Sequence, residues 1–419
     1  MDVSLLIILV VTYVLFNFAF IAFDSNKSGV RLNLLLGLIF TRPNILGETF
    51  GFIQPLFWIF VYYFSSKQGV ARSEKFEDIA ETEKFRKSII TPIFVFYGAF
   101  WFYTIAVDLL RGNQIGLWVF LSNSIGLTSA LVAITKMMSN FEVSLVSKVY
   151  CWFLLIPSVG SILKIVFPTI FQCADLNFQS LGGRSWNYSF CSSGAVFLGE
   201  RFTGFGGEPA IFAVELALGV FVLLNMSIYS KARTWSAVAF LSAGVILSQA
   251  STGYVALGIA FFTTLLNFTQ NRIRILSSIF FLGCSIPIYG FLTELVEKES
   301  ESNPYSIRDR FMYNSPGGYF ENWSSNFFGI ENLETLRYSG INLLSLSLLY
   351  GVPIILFTLL FSISILVNLR SISPWNGPFL IIIFTMVFSQ PPITNYLWFI
   401  LLYLILGLQV KNDSYKKSR

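Results

Sequence analysis

The chain has few charged residues. Only 12% of its 419 residues are Asp, Glu, Lys or Arg, whereas 54% are hydrophobic and the mean hydropathy is +0.67. So little polar material cannot cover the surface of a soluble globule of this length. Histidine is absent and cysteine occurs only four times. No histidine, cysteine or paired aspartate cluster has metal-ligand spacing and no Asp-x-Asp pair occurs, so no metal site is expected.

A cleavable leader is not indicated either. The first apolar block, residues 4–23, has no basic region before it and no small-residue cleavage site after it, so it is expected to be a retained span. The sequence also lacks repeats of the solenoid type and low-complexity stretches. A single membrane domain over residues 1–419 is therefore predicted.

Apolar blocks of ~17 to 25 residues recur along the chain, and each can cross a ~30 Å hydrocarbon layer as a helix. A transmembrane barrel would alternate apolar and polar residues, whereas these blocks are apolar on all sides. The sequence predicts an all-α polytopic membrane protein with about 12 to 13 transmembrane helices. The predicted spans are residues 4–23, 46–64, 89–107, 115–134, 149–167, 209–228, 234–249, 251–268, 275–294, 341–365, 377–390 and 394–410. A shorter block at 30–41 is left open, and it decides the side of the N-terminus.

The basic residues predict the orientation, because Lys and Arg accumulate in short cytoplasmic loops. The loops assigned to the cytoplasm are residues 65–88, 135–148, 229–233, 269–274, 368–374 and the tail from 411. Residues 65–88 resemble an amphipathic segment lying along the membrane surface. Two long loops, 168–208 and 295–340, are then extracytoplasmic, and loops of this length usually have a function.

The cations of the two long loops are mainly arginines. They are Arg184, Arg201, Lys298, Arg308, Arg310 and Arg337. A guanidinium offers a planar fork of donors to phosphate oxygens, which favours anion recognition. The alternative is that these are solvated loop charges. Cys173 and Cys191 in the first loop either form a disulfide in an oxidising compartment or are two unpaired thiols.

The most informative stretch is residues 200–210, ERFTGFGGEPA, where the first long loop becomes a helix. Its three glycines let the backbone turn sharply and approach a ligand closely. Pro209 suits the first helical position, where its missing N–H costs nothing. Arg201 and Glu208 then lie on either side of a glycine turn, beside the free N–H donors of a helix start, which favour an anion.

Glu215 lies seven residues after Glu208, on roughly the same helical face and among apolar residues. A carboxylate within a membrane is costly, which makes Glu215 a functional candidate. The structural alternative is that Glu208 caps its helix and Glu215 pairs with a nearby Lys or Arg. Both interpretations stay open at this point.

The second long loop contains Arg308, Asp309 and Arg310 within the segment 303–310, followed by a Pro-Gly-Gly turn at 316–318. Two arginines flanking an aspartate predict either an anion clamp or a local ion-pair network. Aromatic residues are dense in both loops. Aromatic faces pack well against sugar rings, but they are equally expected at a bilayer interface.

Four short motifs follow one another between residues 150 and 365. They are Arg-x-x-Gly-x-x-x-Glu-Pro at 201–209, Leu-Ser-Gln-Ala-Ser-Thr-Gly at 247–253, Tyr-Ser-Gly-Ile-Asn at 338–342 and Gly-Val-Pro at 351–353. With an arginine-bearing loop before the third motif, this order resembles the bacterial O-antigen polymerase and ligase superfamily. The first motif is the specific element of the resemblance, whereas the flanking spans match in hydropathy and spacing.

The resemblance implies a membrane glycosyltransferase fold of the GT-C type, with both external loops binding lipid-linked substrates. In the Wzy-type polymerases of this superfamily, a growing glycan moves from undecaprenyl diphosphate to the sugar end of another lipid-linked repeat unit. Carried to this chain, Arg201, Arg308 and Arg310 would grip the diphosphate and Glu208 would orient or deprotonate the acceptor hydroxyl. The remaining residues expected to bind substrate are Arg184, Asp309, Glu215, Tyr338 and Asn342.

One departure separates the two branches of the superfamily. The ligases carry an essential histidine before the span that corresponds to 341–365, whereas this chain has none, and residues 338–342 occupy that region. Any general base is then a carboxylate, with Glu208 favoured over Asp309 and Glu215. Polymerase is therefore favoured over ligase. Preorganised arginines would stabilise the leaving diphosphate without a metal.

The expected location is the bacterial cytoplasmic (inner) membrane, with the active site facing the periplasm. The expected partners are undecaprenyl-diphosphate-linked donor and acceptor glycans, the lipid bilayer and a chain-length regulator. No cofactor and no nucleic acid are expected. A flippase or polysaccharide exporter is a further alternative, although transporters tend to carry charged residues along a path through the bilayer, which Glu48, Lys164 and Glu215 do not form.

Overall fold

The chain is predominantly helical, as its apolar blocks predict. The computed structural model describes residues 3–41, 53–67, 76–112, 117–140, 143–166, 175–179, 185–189, 191–192, 201–202, 209–226, 229–268, 329, 346–347, 350–369, 376–388 and 396–417. Their helices are α1 (Val3–Ala22), α2 (Asn26–Phe40), α3 (Ile53–Lys67), α4 (Phe76–Leu110), α5 (Leu117–Asn140), α6 (Val143–Val166), α7 (Pro209–Asn225), α8 (Lys231–Ser248), α9 (Ser251–Phe268), α10 (Pro353–Leu369), α11 (Gly377–Phe388) and α12 (Leu397–Lys417).

The helices follow the predicted spans closely. Every predicted span overlaps one of them except 275–294, which lies outside the described residues. The block 30–41 overlaps α2, whose 15 residues extend over about 22 Å. An all-α fold is therefore confirmed for the described part of the chain, apart from four short strands.

Two helix boundaries differ from the prediction. α4 begins at Phe76 and includes part of the predicted cytoplasmic loop, because charged residues end an apolar run without ending a helix. Residues 76–88 therefore share a helix with the span 89–107, and the predicted position of 65–88 along the membrane surface stays a prediction. The predicted span 341–365 is interrupted at Gly351, which has a positive φ of 86°. Leu346, Ser347 and Tyr350 before this break are helical, and α10 begins after it at Pro353, where proline suits a helix start.

The strands that the structure describes lie in the first long loop. β1 (Asp175–Gln179) pairs with β2 (Ser185–Ser189) in antiparallel register, with Asp175 opposite Ser189. β3 (Cys191–Ser192) pairs with β4 (Arg201–Phe202), also antiparallel. The predicted loop 168–208 thus contains local structure that its hydropathy did not indicate.

Two helices form the centre of the bundle. All residues of α7 from Ile211 to Leu223 are buried, and α6, α8, α9 and α11 pack around it. All residues of α12 from Leu397 to Leu406 are also buried, and this helix packs against α4, α5, α6 and α11. The helices are therefore organised around α7 and α12.

Several polar side chains lie inside the bundle, whereas large apolar side chains cover its outside. Between α1 and α2, Asn33 accepts a hydrogen bond from the Tyr13 hydroxyl and donates to Asn17 Oδ1 at 2.6 Å. Exposed apolar side chains include Phe102, Leu109, Leu110, Trp152, Trp235, Leu356, Leu359, Leu360, Ile363 and Val367. The interior is also mainly apolar, so it is the apolar outer surface that differs from the polar surface of a water-exposed helical protein.

One helical segment within the described ranges, Lys87–Leu110, is both long enough and apolar enough to cross a membrane. It contains 24 residues with a mean hydropathy of 1.8. The shorter apolar helices are Val11–Ala22, Ser144–Gly160, Pro209–Asn225, Thr252–Leu266, Pro353–Asn368, Gly377–Met386 and Leu397–Val410.

Candidate functional site

Most residues predicted for the site lie outside the described residues. These are Cys173, Arg184, Glu208, Arg308, Asp309, Arg310, Tyr338 and Asn342. Glu215 is described with its side chain, whereas Arg201 and Cys191 are described through their strands. The predicted grouping of Arg201 with Glu208 and Arg308 therefore stays a prediction, as does the disulfide between Cys173 and Cys191.

The strand that carries Arg201 lies beside the central helix. Arg201 is directly opposite Ser192 in the β3–β4 pair, and Phe202 is opposite Cys191. β4 packs against both α7 and α8. Only residues 203–208 separate β4 from the start of α7. Strand pairing thus fixes the backbone of Arg201 next to the two helices.

α7 begins at Pro209, as the Glu-Pro sequence predicts. Proline has a preset helical φ and lacks the N–H that would be unpaired at this position. The N–H groups of the following residues point out of the helix end and carry its positive partial charge. The first turn of α7 therefore favours an anion next to the strand of Arg201.

Glu215 is buried within the bundle, with 1% of its surface exposed. Gly219, one turn later on the same face of α7, packs against Leu154 of α6 and Leu241 of α8. Glu215 therefore faces the side of α7 that α6 and α8 cover. Glu215 is thus withdrawn from water, as its apolar neighbours in the sequence predict, and its burial is expensive for a carboxylate.

Small residues surround α7 at the level of this carboxylate. A Cβ on Gly244 of α8 would contact Leu216, which follows Glu215, and Ser158 of α6. Ser158 is fully buried, and its hydroxyl donates to the Leu154 carbonyl at 2.9 Å. These residues let the three helices approach one another closely beside the carboxylate.

α8 ends in a tight turn, where only Gln249 and Ala250 separate it from α9. Gln249 adopts a left-handed backbone conformation, with φ 51° and ψ 34°, and its N–H donates to the Ile246 carbonyl at 3.1 Å. The hydroxyl of Tyr254 donates to the same carbonyl at 3.1 Å. Gln249 follows Gly244 by five residues, so the turn lies about 7 Å further along α8 than the level of Glu215.

The start of α9 is held against α7 by a very close approach. A Cβ on Gly253 would collide with the Cβ of Ala213. Ala213 precedes Glu215 by two residues, and it therefore points to the opposite side of α7. The turn and the buried carboxylate are thus positioned by the same helix from two sides. We call Arg201, Pro209, Glu215 and Gln249 the junction site.

A second polar group joins α4 to α10. The Tyr103 hydroxyl donates to the Tyr350 carbonyl at 2.6 Å, and the Tyr350 hydroxyl donates to Asp108 Oδ2 at 3.1 Å. Arg111 is close enough to act electrostatically on both tyrosines. This group fixes the chain immediately before α10, ten residues after the predicted second long loop ends.

Sequence reasoning gave no role to Gln249 or to the Tyr103, Asp108 and Tyr350 group. Gln249 belongs to the motif 247–253, and the local sequence does not mark the helix end that it forms, because glycine, the usual residue there, is absent. The contacts of Tyr350 with α4 join residues more than 240 positions apart, which no local pattern indicates.

Within the described ranges, no three His, Cys, Asp or Glu residues form a group that could hold a metal ion. The expectation of metal-independent chemistry stays a prediction. Compared with protein-family models, curated proteins and solved structures, the chain matches none of them.

Proposed function

We propose that this chain is a polytopic membrane glycosyltransferase of the Wzy type. It joins undecaprenyl-diphosphate-linked oligosaccharide repeat units into O-antigen, capsular polysaccharide or exopolysaccharide. One observation carries the proposal: the strand of Arg201 lies against the helix that follows Glu208 and buries Glu215. The backbone of Arg201, the start of α7 and the buried Glu215 thus lie close together, and with Glu208 between them in the sequence this arrangement supports a site for an anionic leaving group and an acceptor hydroxyl.

The outer surface of the helices supports a location in the bilayer. On α10, Leu356, Leu359, Leu360, Ile363 and Val367 are exposed and recur at helical spacing, so they form a continuous apolar face. A face of this size is unfavourable in water and favourable against lipid chains. With the apolar blocks of the sequence, it supports a multi-pass protein of about 12 to 13 spans.

The two ends of α8 support an extracytoplasmic site. Lys231 and Arg233 are exposed in its first turn, and Gln249 lies at its other end. Basic residues next to a span favour the cytoplasmic side. The other end of α8, which carries Gln249, then faces the periplasm. The start of α9 and the adjoining part of α7 lie on the same side, where lipid-linked repeat units would be joined.

In the proposed reaction, the acceptor hydroxyl oxygen forms a bond to the anomeric carbon of the donor glycan. The bond between that carbon and the diphosphate oxygen breaks, and undecaprenyl diphosphate leaves with the electron pair. Glu208 takes the hydroxyl proton, while Arg201, with Arg308 and Arg310 of the second loop, stabilises the charge that develops on the diphosphate. Arg184, Asp309, Tyr338 and Asn342 complete substrate binding in this proposal.

Glu215 has a supporting role in the proposal. Its carboxylate lies among α6, α7 and α8, about one and a half turns inward from Pro209, so it can bind a polar substrate group that enters between these helices. The protein acts in the bacterial inner membrane with a chain-length regulator as partner, without a cofactor or nucleic acid.

Polysaccharide chain length tests the proposal. In cells that lack the gene for this chain, the wild-type protein should restore a ladder of long glycans, whereas Arg201→Ala and Glu215→Gln should leave single repeat units on the cell surface. Arg233→Ala removes an exposed guanidinium at the opposite end of α8 and should restore the full ladder. Immunoblots of membrane fractions establish that each variant is inserted.

Two results would contradict the proposal. Normal ladders with Arg201→Ala would remove the proposed anion-binding role of the junction site. Trapping of lipid-linked repeats on the cytoplasmic leaflet in cells without the gene would identify a flippase, because a polymerase acts after the repeat units have crossed the membrane.

A further inference from the structure

The helices α6 and α8 pack side by side and run in the same direction. A Cβ on Gly219 of α7 would meet Leu154 of α6 and Leu241 of α8, which therefore lie at about the same level. One turn further along both helices, a Cβ on Gly244 would meet Ser158. Since the two pairs advance together along the chain, α6 and α8 are parallel, and positions on one helix can be matched to positions on the other.

Lys148 of α6 and Arg233 of α8 are matched in this way. Lys148 precedes Ser158 by ten residues. Arg233 precedes Gly244 by eleven residues, so the two cations differ in height along the helices by only about 3 Å. Both side chains are exposed. Because the axes of packed helices lie about 8–10 Å apart, two side chains of this length can reach the same phosphate group.

The two cations also lie on the same side of the contact between α6 and α8. Eleven residues make about three turns, so Arg233 lies on the face of α8 that Gly244 turns towards α6. Lys148 is displaced from Ser158 by about 80° round α6. Phe240, which is 44% exposed, is displaced from Gly244 by about 40° in the opposite sense. On parallel helices, opposite displacements lead to the same side, so the two cations and Phe240 border one groove.

Exposed apolar side chains continue from the cations along this groove. On α6, Trp152 and Val159 follow Lys148 at helical spacing and are exposed. On α8, Phe240 follows Arg233 by about two turns. Val159 lies about 16 Å along α6 from Lys148, which is close to the hydrocarbon depth of one leaflet. The groove therefore offers cations at one end and an apolar surface of leaflet depth beyond them.

The charged residues of the two helices are all positive. Neither α6 nor α8 contains an aspartate or a glutamate, and Lys231 adds a further cation to the first turn of α8. In the proposed orientation this end of α8 faces the cytoplasm, and basic residues between membrane helices on this side bind anionic headgroups. A zwitterionic headgroup would bring an ammonium group of its own next to the cations. The charge therefore favours an anionic lipid.

We propose that the groove between α6 and α8 binds an anionic phospholipid of the cytoplasmic leaflet. Its phosphate lies between Lys148 and Arg233, and an acyl chain lies against Trp152 and Phe240. The site takes no part in glycan transfer, because it lies at the opposite end of α8 from the junction site. The inference rests on the proposed location in the bilayer and not on the proposed chemistry.

The test uses purified full-length protein in detergent, titrated with phosphatidylglycerol or with phosphatidylcholine of the same acyl chains. Native mass spectrometry measures the affinity of the first lipid bound, and the wild type should bind phosphatidylglycerol more tightly. Lys148→Gln and Arg233→Gln should each lower this affinity about fivefold, and the double variant about 25-fold, as expected for the loss of single basic charges beside an anionic lipid. Binding of phosphatidylcholine should stay the same.

Lys231→Gln is the matched control. Lys231 is an exposed cation in the same turn of α8, about 200° round the helix from Arg233, and its loss should change the affinity for phosphatidylglycerol less than about twofold. Glycerol 3-phosphate carries the anionic group without acyl chains. It should not compete at about a hundredfold excess over the lipid, because the apolar contacts are missing. Melting temperatures without lipid should be equal for all variants, because the substituted side chains are exposed.

Three results would overturn the site. Equal affinity of the wild type for the two lipids would do so, and this comparison needs no variant. An equal loss of affinity in Lys231→Gln would show a general attraction to the cationic end of α8 and no defined position. Full competition by glycerol 3-phosphate would exclude the lipid as the ligand. None of these results bears on glycan transfer, which the ladder of Arg201→Ala decides separately.

Discussion

Tyr350, immediately before α10, donates a hydrogen bond of 3.1 Å from its hydroxyl to Oδ2 of Asp108 at the end of α4. At the other end of the same helix pair, Asn368 Nδ2 donates to the Ser88 carbonyl at 2.7 Å. Between them, the rings of Phe96 and Phe361 lie 4.7 Å apart. α4 and α10 are therefore antiparallel, with their register fixed at both ends.

A double-mutant cycle at Tyr350 and Asp108 tests this connection. Tyr350→Phe removes the hydroxyl that bonds the carboxylate but keeps the carbonyl that accepts from Tyr103, so it should lower the free energy of unfolding by about 1 kcal/mol. Asp108→Ala should remove the same bond, and the double variant should lose less than the sum of the two. Denaturant unfolding in detergent measures all three.

Tyr62→Phe is the control for the cycle, because Tyr62 is exposed on α3. It should change the free energy of unfolding by less than about 0.5 kcal/mol. Strict additivity of Tyr350→Phe and Asp108→Ala would mean that the two side chains do not interact, and this hydrogen bond would then not fix the register of α4 and α10.

This connection also shows what the sequence could not predict. Apolar blocks located the helices because a bilayer-crossing helix needs a long apolar run, and that requirement is local. The break between Tyr350 and Pro353 inside the predicted span 341–365 was not predicted, since hydropathy does not register the left-handed Gly351. The contact between Tyr350 and Asp108 depends on how two helices meet across 242 positions, which one sequence does not encode locally.

The junction site, like the helices, was predictable from the sequence only in part. Glycines followed by Glu-Pro indicated a turn and then a helix, and α7 does begin at Pro209. Burial of Glu215 followed from its apolar neighbours. The pairing of β4 with β3 and the strained backbone of Gln249 did not follow, because short strands and φ angles leave no periodic signal.

Gly253 is predicted to be essential for the packing of α9 on α7. Gly253→Ala would place its Cβ against the Cβ of Ala213, so we expect a loss of about 2 kcal/mol in the free energy of unfolding. Adding Ala213→Gly to the same protein should recover most of this loss, because it removes the opposing methyl group. Thermal unfolding in detergent measures both variants.

Gly258→Ala is the matched control on the same helix. A Cβ on Gly258 meets open space, so this variant should be as stable as the wild type or up to about 1 kcal/mol more stable, since alanine favours helix. Equal stability of Gly253→Ala and Gly258→Ala would show that α7 and α9 do not approach as closely as described.

The exposed apolar side chains allow a direct test of the membrane arrangement. Leu110, at the end of α4, has 88% of its surface exposed, and Ala232 is exposed in the first turn of α8. Ile363 is exposed in the middle of α10. In water all three positions would be accessible, whereas in a bilayer with the proposed orientation they would lie in three different surroundings.

Single cysteines at these positions, in a protein whose four native cysteines are replaced by alanine, should therefore react differently with a membrane-impermeant maleimide. Leu110→Cys should be labelled in intact spheroplasts, and Ala232→Cys only after the membrane is opened. Ile363→Cys should stay unlabelled in both preparations, because lipid chains exclude the charged reagent and keep the thiol protonated; denaturation in detergent should then expose it and serve as the positive control. Rapid labelling of Ile363→Cys in opened membranes would contradict a lipid-facing α10, and labelling of Ala232→Cys in intact spheroplasts would reverse the orientation on which an extracytoplasmic junction site depends.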